Sequence, residues 1–318
     1  RRVYIITSSL MTRNVALVLS GGGARGVAHI GVIEELLKSG YTITSVAGTS
    51  MGSLVGGMLA KGSLPEFTEW LLSFTRMDVI KFMDLTISHG GLIKGEKILK
   101  VLAEFVGEIN IEDLSMPFAC VAVDLIGHKE VIFTKGSLLN AIRASISIPT
   151  VFLPVTTDGM LLVDGGVLNP LPLDLVTRSG HDMLVAVNVN SNIPYHLPRT
   201  IPEQNELEKH YVKLKETLNE KWSGMIDHYV EKYRNGKQPK PKLVNLFDVI
   251  SDSINLSQNK VADIYIEKYK PDLVIDISYE IASLFDFYKS EELIEAGRVA
   301  CRKALDAAAV TKIATVSN

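Results

Sequence analysis

A chain of 318 residues that is 47% hydrophobic and 22% charged holds enough apolar material for one large core or two modest ones. Its formal net charge of −3 gives no electrostatic case for nucleic acid as the main partner. The two cysteines, Cys120 and Cys301, lie far apart in apolar runs with no CxxC, which predicts buried free thiols in a reducing compartment.

The first segment, "RRVYIITSSLM", has two arginines and an apolar stretch too short for a spanning helix or a signal-peptide core. Residues 1–10 are read as non-native, with Met11 as the expected start. No later run approaches spanning length without charges. The expectation is a cytoplasmic chain with no signal peptide or transmembrane helix, able to dock peripherally on a bilayer.

"NVALVLS" reads as the first strand, and Gly21, Gly22, Gly23 and Gly26 follow it before a helical run over 24–39. The G-x-G-x-x-G spacing is the bare dinucleotide pattern. Amides at a helix N-terminus bind an oxyanion as readily as a phosphate, so the motif alone leaves both open. The second strand, "ITSVAGTS", runs into Gly48-Thr49-Ser50-Met51-Gly52 and a helix over 51–61. A dinucleotide site expects an acidic residue at the end of that strand, and "GTSMGS" disfavours it. A serine on so sharp a strand-to-helix turn is lifted out of the sheet, with glycines on either side relieving the crowding. The alternative is a tight turn with a capping serine.

Further along, a helix is expected over 95–106, strands at "PFACVAVD" and "EVIFT", a helix over 137–143, and strands at "MLLVDGG" and "MLVAVNVN". From Glu203 to Tyr233, apolar residues at Leu207, Tyr211, Leu214, Leu218, Trp222, Met225 and Tyr229 form one stripe of a long amphipathic helix. It is expected either to pack on the catalytic domain or a partner subunit, or to act as a lid at a lipid interface. "RNGKQPKPK" ends it, a second helical run covers 246–268, and "DLVIDI" and a helix over 291–308 close the chain. Strands alternating with helices predict an α/β domain with a largely parallel, buried central sheet.

A nucleophilic Ser50 needs a base. None of the seven histidines sits in a setting that recommends it: His29 reads as a packed helix residue, His128 as part of a hairpin turn, and His181 as a connection. Asp164, ending an apolar strand before Gly165 and Gly166, is the better candidate, although a turn-forming role alone would also suit it. A desolvated aspartate has a raised pKa and can accept a seryl proton directly.

"SGGGARG", "GTSMG" and "DGG", in this order, closely resemble the patatin-like phospholipase family, and "AHIGV" and "ASISIPTVFLP" resemble its connecting blocks. The resemblance covers about residues 14–190, with a looser echo in "LIEAGRVA". It implies a three-layer α/β/α catalytic core over 14–190, with 191–318 completing the same domain around the helical excursion. It implies Ser50 as nucleophile, Asp164 as base, Gly21, Gly22 and Gly23 as an oxyanion loop with Gly26 beside them, and Gly48 and Gly52 as the elbow glycines. Arg25 falls on the family's basic position, to fix the loop, to favour an anionic head group, or simply to be solvated in the first turn. The implied activity is hydrolysis of phospholipid or other lipid esters at a membrane surface or micelle, with no cofactor and no metal. With no HExxH and no EF-hand loop, calcium dependence is not expected. A homo-oligomer stays open. The competing readings are a catalytically weak lipid-binding module on the same fold, a dinucleotide-binding protein, and a Ser–His–Asp hydrolase using His181 or His196.

Overall fold

The computed structural model describes residues 13–82, 95–149, 151–195 and 246–316. The chain divides into two compact units, residues 1–195 with 257–318, and residues 196–256. Of the second, the described part is 246–256, the first turns of a helix. The amphipathic helix expected from Glu203 to Tyr233 lies outside the described residues.

The first unit is built on one eight-stranded sheet. Its strands are β1 (Asn14–Leu19), β2 (Thr42–Thr49), β3 (Phe118–Asp124), β4 (Lys129–Phe133), β5 (Val155–Thr157), β6 (Met160–Asp164), β7 (Met183–Ser191) and β8 (Leu273–Ser278). The order is β5-β6-β3-β2-β1-β7-β8, with β4 also paired to β3. The pairings from β3 through β2, β1 and β7 to β8 are parallel, whereas β4, β6 and β5 are joined antiparallel. The sheet is thus parallel through its buried middle and antiparallel at one end. For the β3–β4 and β5–β6 pairs the reason is local: their connections are tight hairpins, too short for the crossover that parallel strands need.

The helices are α1 (Ala28–Lys38), α2 (Met51–Lys61), α3 (Leu64–Leu72), α4 (Arg76–Phe82), α5 (Glu96–Val106), α6 (Leu138–Ser145), α7 (Leu246–Tyr269) and α8 (Ser290–Val316). Strand alternation sends side chains to two separate cores. Leu17, Leu19, Val185 and Val187 join the core containing Ile30, Ile33, Val55, Leu293 and Ile294, from α1, α2 and α8. Their neighbours Val18, Leu184 and Ala186 face Ala262, Tyr265 and Ile266 of α7. Helices therefore cover both faces, and the architecture is a three-layer α/β/α sandwich.

Two sequence blocks far apart in the chain prove to be one interface. "AHIGV" opens α1 and "LIEAGRVA" lies on α8, and the helices touch backbone to backbone. A Cβ on Gly31 would stand 1.8 Å from the Ile294 carbonyl oxygen, and one on Gly297 2.0 Å from that of Ala28. Cys120 and Cys301 are buried free thiols, as their settings predicted. Among the described residues, no helix is long and apolar enough to cross a membrane.

Candidate active site

Ser50 sits between the last residue of β2 and the first of α2 at φ 54°, ψ −124°. For a non-glycine residue this region is sparsely populated and costs about 1–3 kcal/mol. The surroundings hold it there. The Ser50 amide donates to Ser145 Oγ at 3.0 Å, and its carbonyl accepts from the Ser53 and Leu54 amides, starting α2. Gly48 and Gly52 are required by close approach: a Cβ on Gly48 would meet the Gly52 carbonyl oxygen at 2.3 Å, and one on Gly52 that of Leu19 at 2.3 Å.

The register of β3 brings Asp164 to this serine. Thr49 pairs with Val121, and Asp164 pairs with the next residue, Ala122. Val121 and Ala122 also pair with Ile132 and Val131 of β4, which occupies the opposite edge of β3. Hence β2 and β6 share one edge of β3. One runs parallel to it and the other antiparallel, so they meet with their C-terminal ends head to head. Ser50 and Asp164 are the residues at that meeting point.

Asp164 is buried, and its Oδ1 accepts from the Gly166 amide at 2.7 Å. Its amide donates to the Ser147 carbonyl at 2.9 Å, so the segment 145–147 holds both Ser50 and Asp164. Burial pushes the carboxyl pKa up to about 6, against the opposing pull of the Ser50 hydroxyl and the Gly166 amide. The Ser50 hydroxyl is close enough to act on the carboxyl, yet Oδ2 meets no partner in hydrogen-bond geometry among the described residues. Gly165 is pressed on β3, where a Cβ would lie 2.3 Å from the Val121 carbonyl oxygen, and one on Gly166 would lie 2.7 Å from Gln258 Nε2.

The glycine loop closes the other side. A Cβ on Gly21 would stand 3.2 Å from Ser50 Cβ, and one on Gly26 2.5 Å from Met51 Cγ. Gly23 has φ +55° and lies against Leu284. The amide of Gly21 is committed to the Pro170 carbonyl and that of Ala24 to the Leu284 carbonyl. The Gly22 and Gly23 amides lie between those two anchors. Arg25 is buried, not solvated: its Nε donates to Asn190 Oδ1 at 3.0 Å and its Nη1 to the Ala282 carbonyl at 3.3 Å. Burial lowers its pKa to about 10, leaving it cationic at neutral pH. It fastens the loop to the body of the protein.

The described histidines stand apart. His29 is fully buried, and its Nε2–H donates to the Ser20 carbonyl at 2.8 Å, which fixes the tautomer. Burial depresses its pKa to about 4, so the ring is neutral. His128 and His181 are exposed. None of the three lines the pocket below. His196 lies outside the described residues, as do His89, His210 and His228. Among the described residues no three His, Cys, Asp or Glu side chains cluster to hold a metal ion.

An apolar cavity of about 130 Å³ opens onto Ser50 and Gly23. Phe67, Trp70 and Phe74 form an aromatic wall, with Trp70 and Phe74 rings 4.5 Å apart and edge to face. Ile146, Ile148 and Phe152 supply a second wall, and Leu284, Phe285 and Phe287 a third. Helix α3, which carries Phe67 and Trp70 of the aromatic wall, was not expected from the sequence, although "SLPEF" bears a serine and an N-terminal proline suited to a helix start. Asn190, Ser145 and Ser147 were also missed. No local signal assigns their roles, although Ser145 and Ser147 lie in the block "ASISIPTVFLP": Asn190 and Ser145 meet partners 165 and 95 residues away, and Ser147 acts through its backbone carbonyl.

Residues 17–177 match the sequence profile of the patatin-like phospholipases. The chain is 33% identical to an uncharacterized NTE family protein of Mycobacterium bovis, over 92% of this chain and 91% of that one. It is 32% identical to neuropathy target esterase sws of Drosophila melanogaster, over 57% of this chain and 13% of the other. Over the same share it is 34% identical to lysophospholipase NTE1 of Debaryomyces hansenii, covering 12% of that protein. In structure it is similar to VipD from Legionella pneumophila, with a TM-score of 0.45 at 14% identity, covering 93% of this chain and 67% of that one. The family profile and the sequence relatives place the chain among the lipid acyl hydrolases. It belongs to the patatin-like phospholipase family, in the branch whose members are named NTE family proteins.

Proposed function

We propose that this chain releases fatty acid from phospholipids, lysophospholipids or related lipid esters through a Ser50–Asp164 dyad. The observation that carries the reading is the head-to-head meeting of β2 and β6 on one edge of β3, which leaves a strained serine beside a buried carboxylate. Asp164 Oδ2 takes the hydroxyl proton as Ser50 Oγ attacks the ester carbonyl. The carbonyl oxygen becomes an alkoxide facing the Gly22 and Gly23 amides, and each well-placed donor is worth about 3–4 kcal/mol to that species. The C–O bond to the alcohol then breaks, and Asp164 returns the proton to the leaving oxygen. Water, deprotonated by the same carboxylate, attacks the acyl-serine, expels fatty acid and restores Ser50. The apolar cavity takes the acyl chain. The reaction asks for no metal, because the dyad supplies the nucleophile and base and the loop supplies the electrophile. The lysophospholipase name of the fungal relative points to the same substrate class. Such substrates reside in membranes or micelles, so the chain acts as a peripheral visitor to a lipid surface.

The test is covalent. A fluorophosphonate probe should label wild type and spare Ser50→Ala, and Ser50→Ala should release no fatty acid from lysophosphatidylcholine micelles or phospholipid vesicles. Persistent labelling of the variant at another serine would sink the assignment.

A further inference from the structure

Asn190, at the end of β7, is buried, and its side-chain amide supplies a donor and an acceptor at once. Its Nδ2 donates to the Gly21 carbonyl at 2.7 Å, while its Oδ1 accepts from Arg25 Nε at 3.0 Å. The two partners fix the orientation of the amide: the carbonyl of Gly21 can only accept, and the guanidinium can only donate. Its own backbone amide is held by Asn188 Oδ1 at 3.1 Å. Asn190 lies outside residues 17–177, the segment matched to the family profile.

The consequence follows from peptide geometry. In a planar trans peptide the C=O and the next N–H point in opposite directions. Holding the Gly21 carbonyl toward Asn190 therefore aims the Gly22 N–H away from β7. The loop leaves β1, and β1 lies between β7 and β2 in the sheet. Away from β7 is toward the end of β2, which is where Ser50 stands. Gly22 itself rests on β7, since a Cβ there would lie 2.4 Å from Val189 Cγ2 and 3.1 Å from Asn190 Oδ1. A glycine-rich peptide unit can otherwise rotate, because glycine accepts both signs of φ. The Asn190 amide removes that freedom at the Gly21–Gly22 unit.

We infer that Asn190 is a positioning residue for the reaction: braced by Arg25, its side-chain amide sets the Gly21–Gly22 peptide so that the Gly22 N–H faces the oxyanion formed at Ser50. This rests on the proposed acyl transfer at Ser50. Asn190 touches no substrate. Its effect belongs to the tetrahedral state, because the ground-state carbonyl needs the donor far less than the alkoxide does.

Asn190→Asp keeps the size and keeps an acceptor for Arg25, but sets an oxygen against the Gly21 carbonyl. Asn190→Ala removes both contacts and serves if the aspartate variant does not melt cooperatively. Measured on a short p-nitrophenyl ester, a folded variant should lose kcat by about 100-fold, the loss expected for one oxyanion donor, while KM stays within about threefold. The Ki of a trifluoromethyl ketone, which forms a tetrahedral adduct at the serine, should rise by a factor close to the loss in kcat/KM. A purely structural role would not link those two numbers. Wild-type kcat in a folded variant, or a rise in KM with kcat intact, overturns the role of Asn190 while Ser50-dependent hydrolysis stands. Hydrolysis that survives Ser50→Ala overturns the acyl-transfer reading and this inference together.

Discussion

Exchanging Asp164 for asparagine should abolish hydrolysis and stabilise the fold, and the size of the second effect can be worked from the site. The Asp164 carboxyl has its pKa raised from 3.8 to about 6, chiefly by burial. At 1.36 kcal/mol per unit, holding the ionised form in the native state withholds about 3 kcal/mol of stability. The native pKa lies above the unfolded one, so between about pH 4 and pH 6 the native state keeps a proton that the unfolded chain has lost. Stability from this group is therefore highest below that window, falls as pH rises through it, and is level above. A neutral amide has no such slope. Asp164→Asn retains the acceptor for the Gly166 amide, and its amide nitrogen falls where Oδ2 has no partner, beside the Ser50 hydroxyl. Denaturant titrations of both proteins should agree near pH 4 and differ by about 3 kcal/mol at pH 8, equivalent to about 5 °C in Tm. His29 acts with opposite sign, its depressed pKa contributing stability above about pH 6.5 that is lost toward pH 4, but it is common to both proteins and cancels in the difference. A variant less stable than wild type at pH 8, or a difference independent of pH, would refute the reasoning.

The same carboxyl sets the activity profile: log kcat/KM should climb with unit slope up to about pH 6 and then flatten, and His181→Gln should leave both limb and plateau in place. A second limb removed by His181→Gln would put a histidine in the mechanism. Gly31→Ala should cost about 3 kcal/mol or more in a denaturant titration, because the new methyl meets the backbone of α8, which cannot yield as a side chain can. A loss below about 1 kcal/mol would show that the α1–α8 contact is looser than its geometry. Trp70→Ala should open the aromatic wall and move the optimum of kcat/KM toward longer acyl chains; an unshifted optimum on a series of esters would detach that wall from chain recognition.

What could be read from the sequence divides along a physical line. The C-terminal ends of β2 and β6, and hence the place of Ser50 on the strand-to-helix turn and the strand-end position of Asp164, follow from apolar runs that give way to glycine-rich turns, which is local chemistry. The helix over 246–268 and the buried cysteines were legible for the same reason. β5 was overlooked although its signal is present: Asp158 and Gly159 both have positive φ, the conformation of an Asp-Gly hairpin turn between two short strands. Helix α3 was legible too, with Leu64, Phe67 and Leu71 at helical spacing behind the Ser63–Pro65 start, whereas α4, of seven residues, is too short to show a period. Arg25 could be assigned to a loop-fixing or a solvated role only once Asn190 and Ala282 were seen beside it, 165 and 257 residues away. Polar partners chosen by tertiary approach leave no trace in local pattern.

The shared edge of β3 also determines which parts of the chain are free to vary. Between Ser50 and Asp164 the chain makes a long excursion that builds most of the cavity wall, from α3 through α6 to Phe152. Little of that length enters the reach from hydroxyl to carboxylate, which is fixed within it by two adjacent residues of β3, Val121 and Ala122, and by the segment 145–147. Insertions or deletions elsewhere in the excursion can reshape the apolar cavity while Ser50 and Asp164 keep their separation. A slip of β6 by one residue along β3 is another matter, since it moves the carboxylate about 3.3 Å and turns it to the other face of the sheet. Length in the connecting chain is thus a means of altering what is bound, and register in the sheet is what must not change.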